Sequence, residues 1–506
     1  MTTPSYPETD AAAVADIYLR ARRAAERLAE TNLRERLHAV EKLIGYIREH
    51  KEEIVTELCA ATRKTRTDGM VSEIMGVLDN FENLIKTAPK ILKDRKVATP
   101  LALLGKKSRI YHEPLGVVLV IAPWNYPLHI GMTSIMAGFV TGNAVIFKPS
   151  EITPMTGLFE RILAASPLIA QSAFICYGTG ETAQRLIAQR PAKIFFTGSA
   201  RTGKRILAQA AELLIPVDLE LGGKDPAIVF ADANLDRAAA GIAWGGLTNA
   251  GQSCSSVERI YVQEKVYDAF LVKLTAHVES LVLNHGDSGN ADVGGMTADF
   301  QRQLVADHVA DARAKGATVH TGGEVLAADP HIFQPTVLSG ITPDMALAQN
   351  ETFGPLLPVE KFGSEEEAIA LANNTPFGLS ASVWGGDAAQ LERVVRRLHC
   401  GAVSVNNAMV TEGNPNLTFG GTKDSGYGRQ KGEEGLLGYT RSKAVMYDSN
   451  SSKIEANWYP YTQKKYDLFI RLIDVLFTPA GLPVKLARLI GIGTKLESEA
   501  KKPRGS

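Results

Sequence analysis

The stretch AKIFFTGSARTGKRILAQAAELL, residues 192–214, changes character partway along. AKIFF is a short apolar run of the kind that forms a buried strand, and KRILAQAAELL reads as a helix. Between them lies TGSARTG, with Thr197, Gly198, Ser199 and Gly203 at the turn. Glycine lets backbone approach a ligand closely, and the free amides and positive dipole end of a helix start favour a phosphate. The stretch therefore predicts a strand–turn–helix unit able to hold a nucleotide.

Its neighbours repeat the pattern. LGVVLVIAP, NAVIFKP, AFICYG, VDLELGG and PAIVF are short apolar runs bounded by Gly, Pro, Ser or Asp, separated by helical stretches, which is how buried parallel strands joined by crossovers read. A second set between 258 and 407, ERIYVQ, FQPTVLSG, PLLPVEKF, ASVWGG and GAVSVNN, implies a second α/β domain. Residues 11–90 carry helical stripes, including Leu33, Leu37, Val40, Leu43 and Ile47, then Val71, Ile74, Met75, Leu78 and Phe81. Residues 96–114 are more polar and partly alternating, and read as a hairpin leaving the main body. A G-x-G-x-x-A match at Gly178, Gly180 and Ala183 imitates a dinucleotide fingerprint, but the acidic residue expected about 20 positions later is missing. An ordinary turn is the simpler reading there.

With 506 residues the chain is long enough for more than one core. Lysine plus arginine equals aspartate plus glutamate at 55 each, so no global field draws it to nucleic acid or to an anionic bilayer. No run of 18 or more apolar residues and no secretory signal core is present, and four cysteines without disulfide or metal spacing point to a reducing, cytoplasmic setting. No His/Cys cluster calls for a metal.

Cys254 sits in NAGQSCSSVER, among small polar residues and glycine. Thirty-four residues upstream, in LELGGKDP, Glu220 ends a strand-like run; desolvation at such a place raises a carboxyl pKa toward that of a neutral-pH base. Asn125, in APWNYP, carries an amide able to donate to an oxyanion, and NETFGP offers Glu351 and Phe353 in a tight loop. Each alone is ordinary: a solvated glutamate, a turn asparagine, a small loop residue.

Together and in this order, PWNYP, KPSEITP, FTGSARTG, ELGGKDP, GQSC, ETFGP and TFGGTKDSGYGRQKG, spread over residues 110–445, resemble the aldehyde dehydrogenase superfamily. The resemblance implies an α/β fold with a Rossmann-like NAD-binding domain (1–95 and 115–222), a catalytic domain (223–425), a β-strand oligomerisation segment (96–114 and 426–450) and a helical C-terminal extension (451–506). It implies that Cys254 is the nucleophile, Glu220 the base that activates water, and Asn125, with the backbone amide of Cys254, the oxyanion donor. Lys148 and Glu151 would hold the adenosine ribose, Ser199 would lie near the pyrophosphate, and Glu351 would hold the nicotinamide ribose with Phe353 packed nearby. Trp124, Thr197, Gly198, Gly203 and Leu221 complete the expected cofactor contacts. The cofactor would be NAD, with NADP also open. A CoA-acylating activity and a non-enzymatic role are the alternatives; Glu220 favours hydrolysis, since the acylating subgroup generally lacks the glutamate of this motif.

The short amino-terminal part and HEPLGVVLVIAPWNYP look like the class 3, fatty aldehyde and coniferyl aldehyde branch, which implies a homodimer and medium- or long-chain aliphatic or aromatic aldehydes. Tyr126, Thr248 and Phe419 would line the substrate tunnel. Beyond the last motif, Tyr466, Phe469, Ile470, Ile473, Leu476 and Phe477 fall on one helical face flanked by Lys464, Lys465 and Arg471. That face reads as packing against the protein or its dimer partner, as a lid over the substrate entrance, or as a shallow membrane contact, with Pro479 and Pro483 breaking any span.

Overall fold

The computed structural model describes residues 6, 8–100, 103, 105–284, 289–449, 451, 454–479 and 481–501. Residues 101, 102 and 104 of the expected hairpin, and 452, 453, 480 and 502–506 of the expected extension, lie outside the described residues. The chain forms two compact units, Met1–Lys93 with His112–Arg441, and Asp94–Tyr111 with Ser442–Ser506.

In chain order the strands begin with β1 (Arg95–Val97), β2 (Lys107–Pro114), β3 (Val117–Ile121), β4 (Ala144–Lys148), β5 (Ala173–Ile175), β6 (Lys193–Thr197) and β7 (Val217–Glu220). They continue with β8 (Asp225–Val229), β9 (Val257–Gln263), β10 (Thr318–Thr321), β11 (Thr336–Ser339), β12 (Leu356–Phe362), β13 (Ser380–Trp384) and β14 (Ala402–Val405), and end with β15 (Gly426–Tyr427) and β16 (Thr440–Tyr447).

The larger unit holds two sheets. The first runs β15-β7-β6-β3-β4-β5 and is parallel except for β15. Its strands are buried on both faces, which is why they read as unbroken apolar runs. One face packs on the helices Leu33–Thr62, Gly76–Ile91 and Pro127–Val140 through Val40, Leu43, Phe81, Met132 and Phe139. The other packs on Ala11–Ala29, Gly180–Ala188 and Ala200–Glu212 through Val14, Ala21, Leu186 and Ile206. The second sheet runs β10-β11-β12-β9-β8-β13-β14, with only β10 antiparallel. Strand β8, the PAIVF run, belongs to this second sheet, so the chain changes sheets within Leu221–Lys224.

Two differences from the sequence reading have local causes. Residues 426–427, expected in the oligomerisation segment, form β15 on the edge of the first sheet: Gly426 lies opposite Glu220, and the Ser425 hydroxyl donates to the Gly222 carbonyl. Of the expected stripe, Ile74 and Phe81 are buried, but Val71 and Met75 are exposed, while Gly69 and Glu73, outside it, are buried. Gly69–Met75 is wound as a π-helix, whose i→i+5 pattern rotates side chains away from the 3.6-residue stripe.

In the smaller unit β1 pairs antiparallel with β2 and the sheet order is β1-β2-β16. Helices Gln463–Phe477 and Leu482–Ala500 follow, and Lys464 pairs with Glu499 at 2.7 Å. Tyr466, Ile470, Ile473 and Phe477, expected to lie against a partner, are exposed in this chain, whereas Lys465, expected to flank that face, is buried, its ammonium donating to the carbonyls of Trp458 and Pro460. No helix among the described residues is long and apolar enough to cross a membrane.

Candidate active site

Strand β7 brings Glu220 to its carboxyl end, where the parallel sheet opens. Glycines 222 and 223 then let three segments meet: a side chain at Gly223 would collide with the carbonyl oxygen of Cys254, and one at Gly222 with the Glu351 carboxylate. Glu351 accepts from the Gly223 amide at 2.9 Å. Burial, reinforced by Glu258, pushes its carboxyl up to about 8.

Glu220 is 3% exposed, and neither of its carboxylate oxygens has a hydrogen-bond partner among the described residues. Desolvation drives its carboxyl well above the ordinary range, Asp218 adds to this, and Arg429 opposes it. A Cβ on Gly420 would sit 2.9 Å from Glu220 Oε1, so the glycine leaves the carboxylate its space.

Cys254 follows the turn Thr248–Gly251, in which Asn249 and Ala250 adopt φ of 52° and 54°. For alanine the left-handed region costs about 1–2 kcal/mol, so neighbouring contacts must hold it. They do: Asp68 accepts from the Thr248 hydroxyl at 2.9 Å and from the Asn249 amide at 3.0 Å. The half-buried thiol is pushed well above its ordinary value by desolvation and by Glu412, Asp225, Glu351 and Glu220. Burial and the surrounding carboxylates outweigh the nearby Lys431 ammonium, so at neutral pH the thiol keeps its proton until a base removes it.

Asn125 is buried, its Nδ2 donating to the Gln252 carbonyl at 3.0 Å. The amide carries a second N–H, and the backbone oxygen of Asn125 accepts from Lys64 Nζ at 3.0 Å and Asn249 Nδ2 at 3.1 Å. Trp124 stands edge-on to Phe353 at 5.3 Å between ring centres. Phe353 has φ of 51°, and its amide and that of Thr352 donate to Glu258, which is paired with Lys224 at 2.6 Å.

The expected cofactor residues gather along the carboxyl ends of β4, β6 and β7. Lys148 is buried at the end of β4, donating to the Pro149 carbonyl at 3.0 Å and lying 3.4 Å from the half-exposed Glu151. Ser199 caps the helix Ala200–Glu212, Thr197 accepts from Gln430 Nε2 at 3.1 Å, and the Gly198 amide donates to the Glu220 carbonyl. A Cβ on Gly203 would come within 2.8 Å of Leu221 Cδ2, so glycine there lets the helix start press against the sheet. A helix N-terminus beside a buried lysine fits the phosphates and ribose of a dinucleotide. The Gly178 motif is different: its glycine is filled from within by the Thr182 side chain, leaving an ordinary turn.

Each expected tunnel residue meets a charged group that the sequence did not single out. Lys64 Nζ lies 4.4 Å from the Tyr126 ring centre, Thr248 holds Asp68, and Lys431 Nζ lies 5.9 Å from the Phe419 ring centre. Lys431 also donates to the Glu412 carbonyl at 2.8 Å, and the Ser255 hydroxyl donates to the Glu412 carboxylate. Lys431 lies within the TFGGTKDSGYGRQKG motif without a role assigned there, and Glu412 lies in no motif; the fold brings the two loops together. The other thiols are pushed up by burial, Cys59 to about 11 and Cys176 and Cys400 to about 12.

Residues 2–445 match the aldehyde dehydrogenase family. The chain is 38% identical over 474 residues to 4,4'-diapolycopene aldehyde oxidase of Methylomonas sp, covering 93% of this chain and 88% of that protein. It is 35% identical over 435 residues to a Mycolicibacterium smegmatis protein provisionally named an NADP(+) succinate-semialdehyde dehydrogenase, covering 85% of this chain and 84% of that one. Among solved structures, an aldehyde dehydrogenase from Mycobacterium tuberculosis complexed with NAD+ superposes with TM-score 0.82 at 29% identity, covering 88% of this chain and 92% of that chain. An aldehyde dehydrogenase from Brucella melitensis biovar abortus 2308 gives TM-score 0.84 at 31% identity, with coverage of 88% and 91%. The chain belongs to the aldehyde dehydrogenase family and is an NAD(P)-dependent oxidoreductase.

Proposed function

We propose that the chain oxidises medium- or long-chain aliphatic or aromatic aldehydes to carboxylic acids through a thioester on Cys254. The observation that carries this reading is Glu220, a buried carboxylate with no hydrogen-bond partner among the described residues, beside the Cys254 loop. Loss of the thiol proton to a base lets Cys254 attack the carbonyl carbon. Asn125 Nδ2 and the Cys254 amide stabilise the resulting oxyanion; one such donor is typically worth about 3–4 kcal/mol in the transition state. NAD(P), with its adenosine ribose held by Lys148 and Glu151, its pyrophosphate near Ser199 and its nicotinamide ribose on Glu351, would supply the acceptor for the hydride released as the oxyanion collapses. Glu220 then takes a proton from water, the water oxygen attacks the thioester carbon, and the acid departs as the sulfur is released. The matching of a raised carboxyl to that task is what supports hydrolysis over transfer to CoA.

Tyr126 and Phe419 support an aromatic-lined approach, and the similarity to a protein named for a diapolycopene aldehyde agrees with a large apolar substrate. A second reading has its own support: the Lys431 ammonium, close enough to Cys254 to interact electrostatically, suits a short aldehyde with an acidic end, as in the name of the M. smegmatis relative. NADH absorbance decides between them. The first reading expects higher kcat/KM for dodecanal and benzaldehyde than for succinic semialdehyde, and no requirement for CoA. A preference for succinic semialdehyde overturns it in favour of the second, and dependence on CoA overturns hydrolysis.

We also propose a homodimer joined through the edge of the sheet β1-β2-β16, since an edge strand presents unpaired backbone groups. The exposed Tyr466, Ile470, Ile473 and Phe477, with Lys485 and Arg488 on the next helix, support a peripheral membrane contact of a cytoplasmic enzyme. Light scattering of the purified chain and its co-sedimentation with anionic liposomes test the two.

A further inference from the structure

Ten residues, Lys64–Glu73, place three acidic or basic side chains, Lys64 and Glu73 buried and Asp68 half-buried, against the two turns that shape the site. Lys64 and Glu73 side chains are fully buried and 2.6 Å apart. Lys64 Nζ also donates to the backbone oxygen of Asn125 at 3.0 Å, and Glu73 Oε2 accepts from the amide of His129, in the helix that begins just after Asn125, at 2.7 Å. Asp68 holds the other turn, through the Thr248 hydroxyl and the Asn249 amide. Asn249 closes the ring by donating from its side chain to the carbonyls of Asn125 and Gln252.

The local winding makes this reach possible. In an α-helix, residues five apart lie about 140° apart around the axis and face different neighbours. Asp68 and Glu73 are five apart, and the π-helix Gly69–Met75, wound i→i+5, brings them toward one side. Gly69 allows that wide turn to lie against the helix Leu33–Thr62, since a Cβ there would sit 2.8 Å from Val55 Cγ2. A buried ion pair is weak evidence for stability, because well-packed apolar side chains serve as well or better. Here the partners of the pair are the parts of the backbone that position the active site.

We propose that Lys64, Asp68 and Glu73 are positioning residues: a buried bracket that ties the Asn125 turn to the Thr248–Gly251 turn and so keeps the Asn125 amide aimed at the oxygen of an aldehyde held on Cys254. This rests on Asn125 being the oxyanion donor. None of the three is among the residues assigned to substrate or cofactor, so the bracket's effect falls on the rate of the first chemical steps, with affinity spared.

Stopped-flow measurement of the NADH burst with hexanal and saturating NAD tests this in the full-length enzyme. The double variant Lys64→Met/Glu73→Gln, which removes the pair without stranding a charge, is expected to slow the burst about 10- to 100-fold, the scale of a misplaced oxyanion donor. KM for hexanal and Kd for NAD should stay within about twofold. In an Asn125→Ala background the same double change should slow the burst by less than about twofold, because the group it positions is gone. Asp68→Asn, milder in its effect on folding, should slow the burst about 10-fold with an unchanged thermal midpoint. A wild-type burst in either bracket variant, or a full multiplied loss on top of Asn125→Ala, overturns the bracket. If Asn125→Ala itself keeps a wild-type burst, the oxyanion assignment falls, and the bracket with it.

Discussion

Glu220 and Glu258 are both 3% exposed, yet the protein treats them in opposite ways. Glu258 is paired with Lys224 at 2.6 Å and accepts from the amides of Thr352 and Phe353. Glu220 has no hydrogen-bond partner among the described residues, and its carboxyl is pushed well up. A buried carboxylate that is fully bonded has its geometry fixed and its lone pairs used; it holds loops in place. One left unbonded destabilises the fold, and the compensating return is reactivity toward a proton on water.

The largest effect expected on this contrast comes from removing the group that Glu220 faces. Cys254→Ala should abolish aldehyde-dependent NADH formation while leaving NAD affinity, measured by fluorescence titration, unchanged. Turnover above a few per cent of wild type would remove the chemical side of the comparison.

Next, Glu258→Gln should leave Lys224 buried without its counter-charge. Breaking such a pair costs about 3–5 kcal/mol. Thermal unfolding is the appropriate readout: Glu258→Gln should lower the midpoint strongly, and Glu220→Gln should raise it or leave it unchanged. A lower midpoint for Glu220→Gln than for Glu258→Gln would reverse the comparison.

A smaller effect tests the third carboxylate, Glu351, which has one backbone donor and lies between the two extremes. Its carboxyl, at about 8 in the folded protein, stands above the ordinary 4.5. Between those limits the folded protein keeps a proton that the unfolded chain has released. Its contribution to stability is therefore complete below about pH 4.5 and lost as pH rises through about 8. Glu351→Gln should flatten the fall in urea-unfolding stability over that window; an unchanged slope would count against the assignment.

The smallest effect is expected at the remaining thiols. Cys400→Ala should leave kcat within about twofold, since the Cys400 thiol donates to the Ala402 carbonyl and is not among the residues assigned to the site. A large loss of kcat would mean that a second cysteine shares the chemistry.

The sequence carried the sheet strands and the main site groups because each has a local signature. AKIFF, NAVIFKP and the other apolar runs are buried on both faces, so hydrophobicity alone marks them. Cys254, Glu220 and Asn125 stood out through short motifs whose order carried the family resemblance. What could not be read was contact made across the chain. Glu412 and Lys431 reach the site from loops with no periodicity, and β10 is short and half-exposed, with no apolar run to announce it. In Gly69–Met75 a regular 3.6-residue stripe was the wrong template, because one π-turn moved Val71 and Met75 to the surface and Glu73 inward. Polar positions on helices and in the turns between them are ordinarily assigned to solvent, so Lys64 and Glu73 gave no sign of being buried.

The most direct test of the account is a stopped-flow trace of NADH formation by Glu220→Gln with excess hexanal and NAD. A protonation-inert amide at this position leaves Cys254 and Asn125 able to form the thioester but removes the base that activates water. The account predicts a burst of about one NADH per active site followed by a stall at least about 100-fold slower than wild-type turnover, the scale of a lost general base. Linear turnover at the wild-type rate would contradict it.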